Sequence, residues 1–319
     1  MYPASVSKGR LMLVSVVIPC YNSQRSIGEV VSLTISEFDR LDDYECEFVL
    51  VNDGSPADDT YGEICRLAQE HPNVHGINLM RNFGQHNAIM CGLNYAKGDM
   101  VLGMDDDLQN HPTQIPKLLA KMEEGDYDLV YGVFEEQKNS KVKTFTSWLN
   151  KVTARKMLGR SKDVVTSSFW LINRKLRDQV VRFRNYNPMI EALFSRMTDN
   201  VGCVVVEHHA REYGSSGYTL GKLVKLWLAY FNYTVLPLRV ISGIGVVTAI
   251  VGFVFGIVTV IRKLIDPSIL AGWASTTSIL LFFFGLVLLA LGIIGEYVGD
   301  IVLSVNSTPQ YIVRDTVNL

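Results

Sequence analysis

Cysteine is scarce in this 319-residue chain, and its five cysteines never form the CxxC spacing typical of zinc or redox sites. Scattered thiols of this kind predict reduced side chains rather than a disulfide framework. The chain also lacks an excess of basic charge: its net charge of −2 argues against nucleic acid as the main partner. It begins without the pattern of a cleavable secretory signal, because the apolar run 11–18 is short and meets Pro19. We therefore expect the N-terminal part to stay in the cytosol.

Charge is missing altogether from two stretches near the C-terminus. Residues 240–261 and 267–295 contain 22 and 29 uncharged residues, and each stretch is long enough to cross a hydrocarbon core of about 30 Å. The sequence therefore predicts two transmembrane helices, over 236–262 and 274–296, followed by a cytosolic tail over 297–319. Two spans would leave both ends of the chain on the same side of the membrane.

The part of the chain before these stretches alternates short β-branched runs with helix-length segments. Such alternation predicts parallel βαβ units in a doubly wound α/β sheet, with ligands at the carboxyl ends of the strands. We interpret residues 1–218 as one cytosolic domain of this class. The predicted strands are Leu13–Ile18, Cys46–Val51, Val74–Asn78, Met100–Met104 and Asp128–Tyr131.

Two of the predicted strands end in residues suited to a nucleoside. Pro19 is expected to end ladder pairing of the first strand, and Tyr21 can then present an aromatic face to a flat base. Asp53 ends the second strand, where a carboxylate can accept hydrogen bonds from a base or a ribose. The alternative is that Asp53 and Ser55 only start a turn and cap the next helix.

Three consecutive carboxylates, Asp105, Asp106 and Asp107, follow the fourth predicted strand. Such crowding is unfavourable without a cation. Alternating side-chain directions would let Asp105 and Asp107 converge while Asp106 faces elsewhere. Hard oxygen ligands of this kind suit Mg²⁺ or Mn²⁺ bridging a diphosphate. The alternative is an acidic N-cap for a helix that begins near Pro112.

Basic charge is concentrated in segment 141–162, which has seven basic and no acidic residues, with aromatic and aliphatic residues between them. This pattern predicts an amphipathic helix at a membrane interface, and the alternative is a solvated helix on a soluble surface. Residues 219–235 combine Lys222 and Lys225 with several aromatic residues. That combination predicts a juxtamembrane helix.

Six motifs stand in order along the chain: VVIPCYN (16–22), VNDGS (51–55), RNFGQHNAIMCGL (81–93), MDDDLQNHP (104–112), HHAREYGSSGY (208–218) and GEYVGDI (295–301). In their order and spacing they resemble the inverting family-2 glycosyltransferases of GT-A fold. The resemblance runs nearly end to end and points to the branch of polyprenyl-phosphate sugar transferases that includes dolichyl-phosphate mannose synthase. Within that branch, the chain is most similar to bacterial undecaprenyl-phosphate transferases, notably those for 4-deoxy-4-formamidoarabinose.

The resemblance implies where the donor would bind. A GT-A domain is expected to hold a nucleotide sugar together with Mg²⁺ or Mn²⁺. The nucleoside contacts implied are Pro19, Tyr21 and Asp53, and the residues implied around the metal and the diphosphate are Asp105, Asp107 and Gln109.

The resemblance also implies two arginines at phosphate groups. Arg211 matches the family arginine expected to meet phosphate, and its planar fork can make two charge-assisted bonds to one phosphate. The alternative for Arg211 is a surface ion pair with Glu207 or Glu212. Arg81 would be a second phosphate contact or a turn-stabilising residue. Asp107 and Arg211 are the catalytic candidates.

The chain departs from the family pattern on the acceptor side. Many relatives have an acid-Phe-Arg triplet where this chain has Ser168, Phe169 and Trp170, and a lysine often stands where this chain has Gly217. Trp170 could stack on a sugar or fill the core, and burial in the core is the usual fate of a tryptophan.

The resemblance implies inverting transfer of a sugar, from a donor expected to be a UDP-sugar, to undecaprenyl phosphate. The reaction would take place at the cytoplasmic face of the bacterial inner membrane, and the resemblance implies a homotetramer. A lipid phosphate is already ionised at neutral pH, so no general base is needed. The alternatives are a processive polysaccharide synthase and a non-catalytic lipid-carrier or flippase subunit with a nucleotide-sensing domain.

Overall fold

The computed structural model describes residues 11–134, 165–207, 236–265, 272–306 and 308–319. The chain divides into two compact units. The sheet unit comprises the residues before Tyr218 together with Thr308–Leu319, and the helical unit comprises Tyr218–Ser307. Three predicted features lie outside the described residues: the amphipathic segment 141–162, the juxtamembrane segment 219–235 and Arg211.

Among the described residues of the sheet unit, eight strands form one sheet, in the order β7-β5-β6-β4-β1-β2-β3-β8. Four neighbouring pairs are parallel, and the β3–β8, β4–β6 and β5–β6 pairs are antiparallel. The sheet is therefore mixed, as in the Rossmann-like GT-A architecture. The strands are β1 (Met12–Cys20), β2 (Tyr44–Asn52), β3 (Val74–Leu79), β4 (Met100–Gly103), β5 (Leu129–Phe134), β6 (Trp170–Asn173), β7 (Val201–Val206) and β8 (Val313–Val317).

In the described part of this unit, six α-helices accompany the sheet: α1 (Ile27–Phe38), α2 (Thr60–Glu70), α3 (Gln85–Tyr95), α4 (Ile115–Gly125), α5 (Arg174–Val180) and α6 (Ile190–Met197). A short 3₁₀ helix, Pro112–Gln114, precedes α4. Side chains cap the N-termini of two of the helices: Asp59 accepts a bond from the Gly62 N–H at the start of α2, and Asn173, the last residue of β6, accepts one from the Leu176 N–H at the start of α5.

Strand β1 is buried on both faces from Val14 to Cys20, which is why its sequence, apart from Ser15, is apolar rather than alternating. One face, including Val16, belongs to the main core with residues of α1 and α4. The other face meets α3 so closely that a Cβ on Gly92 would lie 2.4 Å from Val17 Cγ1. Because β1 has a parallel neighbour on each side, the carboxyl ends of β2, β1 and β4 meet at one edge, where a doubly wound sheet binds its ligands.

The five predicted strands are confirmed to within three residues at either end. One detail is wrong: Pro19 does not end the pairing of β1, which continues in register with β2 to Cys20. The reason is that β4, the other neighbour of β1, pairs with it only as far as Val17, which lies opposite Gly103. At Pro19 the strand is paired on one side only, and proline is tolerated there.

The helical unit contains two long helices, α7 (Leu236–Ile265) and α8 (Trp273–Val305), which contact each other. Among the described residues, one segment, Phe283–Val305, is long and apolar enough to cross a membrane, with a mean hydropathy of 2.1. The expected second span is not confirmed in this way and stays a prediction. Helix α8 runs nine residues beyond the predicted end at 296, and the predicted tail 297–319 contributes β8 to the sheet.

Candidate active site

The end of β1 is tied directly to the acidic turn that follows β4. The backbone N–H of Tyr21 donates to Asp106 Oδ2 at 3.2 Å, and the Ser23 hydroxyl donates to the same oxygen. Asp106 is thus turned toward β1, as expected. Burial raises the pKa of Asp106, and the two donors oppose that rise. The Tyr21 side chain is 47% exposed, so its ring is open to a ligand.

Asp105 is held by neutral donors from three separate parts of the chain. Gln85 Nε2 donates to its Oδ1 at 2.8 Å, while Asn110 Nδ2 (3.2 Å) and the Ser168 hydroxyl (2.5 Å) donate to its Oδ2. Burial raises the pKa of Asp105 to about 6, and the neighbouring carboxylates Asp107 and Asp106 add to the rise. Negative charge is therefore crowded here, as the sequence indicated.

Asp107 is 7% exposed, and its Oδ1 accepts the backbone N–H of Gln109 at 3.1 Å. Strand β4 ends at Gly103, so all three carboxylates lie in an irregular turn in which Leu108 has a φ of 62°. The expectation that strand alternation aims Asp105 and Asp107 is therefore wrong in its reasoning. The turn, rather than the pleat of a strand, sets their directions.

The acidic residues do not cap the helix that follows them. The N-cap of the Pro112–Gln114 turn is His111, whose ring nitrogen accepts the Thr113 N–H. The capping alternative for Asp53 and Ser55 is also wrong, because Asp59 caps α2. Neither Asp53 nor the Asp105–Asp107 turn is therefore used to cap a helix, and both can take part in binding at the sheet edge.

Asp53 is buried and binds the loop between β3 and α3. Its Oδ1 accepts the Phe83 N–H at 2.7 Å, and its Oδ2 accepts the Gly84 N–H at 2.9 Å. Burial raises the pKa of Asp53, and the two backbone bonds oppose that rise. Each carboxylate oxygen can accept a second bond, so Asp53 can orient this loop and still meet a nucleoside.

The same loop carries Arg81, whose guanidinium lies 4.5 Å from the centre of the Phe83 ring. This contact fits the turn-stabilising interpretation of Arg81. Pro19 is buried within β1, next to the exposed Tyr21. The structure thus brings Pro19, Tyr21 and the acidic turn to one edge.

Sequence reasoning missed a chain of polar side chains along this edge. Asn52 Nδ2 donates to Asn78 Oδ1 at 2.9 Å, and the Ser55 hydroxyl donates to Asn52 Oδ1 at 2.6 Å. Ser55 Oγ in turn accepts the backbone N–H of Asn22 at 2.9 Å. Asn22 has a φ of 56°, so this bond supports a left-handed residue directly after Tyr21. The only sequence signal was the recurrence of Asn at strand ends.

Gly54 is where the loop after β2 comes closest to the loop after β3. Its φ is +60°, and an added Cβ would lie 2.4 Å from the carbonyl carbon of Arg81. We expect Gly54→Ala to lower the free energy of unfolding by about 2–4 kcal/mol, from backbone strain and overpacking together, and to weaken nucleotide binding. Thermal unfolding and calorimetry would measure both effects. Gly28→Ala is the control and should change little, because its added Cβ would meet only the side-chain ends of Glu63 at 3.1 Å and Arg66 at 3.7 Å.

The acidic turn offers a divalent cation few but suitable ligands. Within the described ranges, no cluster of three or more His, Cys, Asp or Glu residues has metal-binding geometry. Two carboxylates and neutral oxygens remain, which is the kind of set that Mg²⁺ and Mn²⁺ accept when phosphates and water complete the shell. In the part of the chain that the structure describes, Asn110 Oδ1 is buried beside Asp105 without a hydrogen-bond partner. A hydrated cation would supply one, so the residues fit the metal.

Trp170 belongs to the core. It is 1% exposed, its ring meets Phe194 edge-on at 5.1 Å, and it covers Gly103 on the neighbouring strand. The core interpretation is therefore confirmed over stacking on a sugar. Ser168, at the first position of the departing triplet, is the residue that reaches the site.

Comparison with known proteins agrees with this architecture. The family description "Glycosyl transferase family 2" matches residues 15–181, and "GtrB C-terminal hairpin" matches residues 236–301. The undecaprenyl-phosphate 4-deoxy-4-formamido-L-arabinose transferase of Edwardsiella ictaluri is 34% identical, over 96% of this chain and 95% of its own length. The enzyme of the same name from Shewanella sediminis is 35% identical, over 95% and 92%.

A solved structure resembles this chain in fold. Glucosyl-3-phosphoglycerate synthase from Mycobacterium tuberculosis, in complex with phosphoglyceric acid, superposes with a TM-score of 0.51 at 22% identity. The match covers 71% of this chain and 80% of that protein. At this level of identity, the likeness establishes the fold alone.

Proposed function

The chain belongs to glycosyl transferase family 2 and is a glycosyltransferase, and we propose that it transfers a sugar from a UDP-sugar to undecaprenyl phosphate with inversion at the anomeric carbon. The observation that carries the proposal is the convergence of Tyr21, Asp53 and the Asp105–Asp107 turn at one sheet edge. The relatives at 34–35% identity, which are named for transfer to undecaprenyl phosphate, support the choice of acceptor.

In this proposal, the sheet edge holds the donor through three groups. The Tyr21 ring stacks on the base, and the second lone pairs of Asp53 accept from the base or the ribose. Asp105, Asp107 and Gln109 hold Mg²⁺ or Mn²⁺, which when bound offsets the charge that develops on the departing nucleoside diphosphate. Ser168, Gln85 and Asn110 keep Asp105 oriented toward the donor.

The acceptor needs positioning rather than activation. Its phosphate oxygen is ionised at neutral pH, so the chain has only to align it for attack on the face opposite the leaving group. We assign this alignment to Arg211, whose guanidinium can form two bonds to one phosphate. Arg81 is a second candidate for phosphate contact, although its stacking on Phe83 favours support of the loop.

The helical unit is proposed to anchor this chemistry at the membrane. Helices α7 and α8 expose apolar side chains such as Val247, Phe255 and Phe284, which a hydrocarbon core would cover. We propose two spans, over 236–262 and 274–296, a cytosolic domain over 1–218, and interfacial helices over 141–162 and 219–235. The location would be the bacterial inner membrane, with the protein a homotetramer.

A donor panel tests the proposal. Purified protein in detergent would be incubated with undecaprenyl phosphate, Mn²⁺ and radiolabelled UDP-sugars and GDP-sugars, and label would be counted in the organic phase. We expect label from one UDP-sugar and none when Mn²⁺ is replaced by EDTA. Label from a GDP-sugar alone would overturn the choice of nucleotide. Folded protein that yields no label with any donor would overturn the proposed reaction.

A further inference from the structure

The last twelve residues of the chain, Thr308–Leu319, return to the sheet unit after the apolar helix α8. Strand β8 pairs antiparallel with β3, in a register that places Asp315 opposite Asn78 and Val313 opposite Leu79. The register shifts between Asn78 and Leu79, where β3 is about to end. Outside this pair, β8 has no strand neighbour among the described residues, so it forms an edge of the sheet.

Contacts beyond the ladder fix this segment at the point where β3 gives way to its loop. The Met80 N–H donates to the Ile312 carbonyl at 2.9 Å, and Arg314 Nη2 donates to the Met80 carbonyl at 2.9 Å. Gln310 Nε2 donates to the backbone carbonyls of Phe183 (3.1 Å) and Asn185 (2.7 Å). Both backbone groups of Met80 are therefore held by the C-terminal segment.

Met80 is the residue directly before the loop on which the donor edge depends. Three residues later, the N–H groups of Phe83 and Gly84 bind Asp53, and Gln85 then binds Asp105. Gly54 lies close to the backbone of Arg81 and Asn82 in the same loop. The loop 81–84 thus lies between the Asp53–Gly54 turn and an anchor point supplied by the C-terminal segment.

Asp315 extends the polar chain of the donor edge. Its Oδ2 accepts a bond from Asn78 Nδ2 at 3.3 Å, and Asn78 Oδ1 accepts from Asn52, which accepts from Ser55. A carboxylate can only accept, so Asp315 directs the amide group of Asn78 toward itself and leaves the Asn78 oxygen for Asn52. Asp315 thus fixes which groups donate and which accept along the series of hydrogen bonds from β8 to the backbone N–H of Asn22.

We infer that residues 308–319 are a positioning element of the donor site: through Arg314 and Asp315, the segment that follows the apolar helix holds loop 81–84 and the Asn78–Asn52 pair in place for the nucleotide. This inference rests on the proposed function for the identity of the ligand. These residues touch no reacting atom and act through Met80 and Asn78. Their loss should weaken donor binding more than it slows turnover.

The test uses the full-length protein in detergent with the double variant Arg314→Ala/Asp315→Ala, which leaves the backbone ladder intact. Hydrogen exchange of the peptide over residues 80–85 should become about five- to tenfold faster, as expected for the loss of one or two hydrogen bonds. Exchange in α1 should stay unchanged. Calorimetry with UDP and Mn²⁺ should show binding weakened by about the same factor, with kcat altered less than the donor KM.

Two further variants sharpen the test. Arg314→Lys keeps a donor for the Met80 carbonyl and leaves Asp315 as a side chain that can only accept, so it should retain most of the binding. Arg40→Ala, at an exposed arginine paired with Glu37, should behave as wild type. Unchanged exchange over 80–85 would overturn the inference, and so would equal acceleration in that peptide and in α1, which would indicate a merely structural role. Wild-type protein that binds neither UDP nor GDP would overturn the proposed function, and with it the donor role assigned here, even if exchange over 80–85 changes.

Discussion

Replacing Asp107 by asparagine is expected to lower kcat for sugar transfer by about a thousandfold, the magnitude typical of losing a preorganised electrostatic contact in a buried site. The substitution keeps the shape of a side chain that is only 7% exposed, and an amide oxygen can still accept the Gln109 N–H. The negative charge that would hold the cation is lost. Initial rates at saturating donor, with and without added Mn²⁺, would measure the effect.

The matched control is Glu70→Gln, the same loss of a carboxylate charge at an exposed residue on α2, whose partner Arg66 is itself exposed. Surface pairs of this kind contribute little, so its rate and thermal midpoint should equal those of wild type. If Asp107→Asn keeps more than about a tenth of the wild-type rate, the role assigned to Asp107 is wrong.

Trp170→Ala is expected to have the largest effect on stability. Removing a large buried aromatic side chain costs about 3–5 kcal/mol, because the cavity it leaves is only partly filled. Here the indole packs against Phe194 and over Gly103, which has no side chain to move into the space. At about 2–4 °C per kcal/mol for a domain of this size, the thermal midpoint should fall by about 10 °C.

Circular dichroism in detergent would follow this transition, with Trp170→Phe as a smaller change that should lose only part of the stability. The measurement also separates the two interpretations of this residue. If Trp170 stacked on a sugar, its replacement would abolish transfer and leave the midpoint within about 2 °C of wild type. That outcome would contradict the core assignment.

The central strands could be predicted from the sequence because they are buried on both faces. Residues 16–20 of β1, residues 48–51 of β2 and the whole of β4 form continuous apolar runs, and the polar residues that follow them mark the ligand-binding edge. The family followed from the motifs, and the matches of residues 15–181 and 236–301 to known families confirm it.

Strands β6 and β8 escaped prediction for two different reasons. Strand β6 has only four residues and inserts antiparallel between β4 and β5, so its place depends on neighbours that are distant in sequence. Strand β8 reads VRDTV and lies at a solvated edge, where charged side chains replace the apolar alternation that reveals a strand. Its polar residues resemble those of a free tail.

The types of residue in the site could be predicted from the sequence, but most of the hydrogen-bond partners that hold them could not. The crowding of Asp105 by Asp106 and Asp107 is visible in the sequence, whereas the burial that contributes most to the raised pKa of Asp105 is not. The partners of Asp53 could not be deduced, because they are backbone N–H groups thirty residues away. The same holds for Ser168, which is sixty-three residues from Asp105.

Mass spectrometry of the lipid product tests the central claim most directly. Purified protein would be given undecaprenyl phosphate, Mn²⁺ and the active donor, and the organic phase would be analysed for intact lipids. We predict one new species, undecaprenyl phosphate carrying a single glycosyl residue, which is absent when the lipid is omitted. A ladder of several sugars would indicate a processive synthase, and free sugar with unmodified lipid would show hydrolysis alone. Either result would contradict the proposed function.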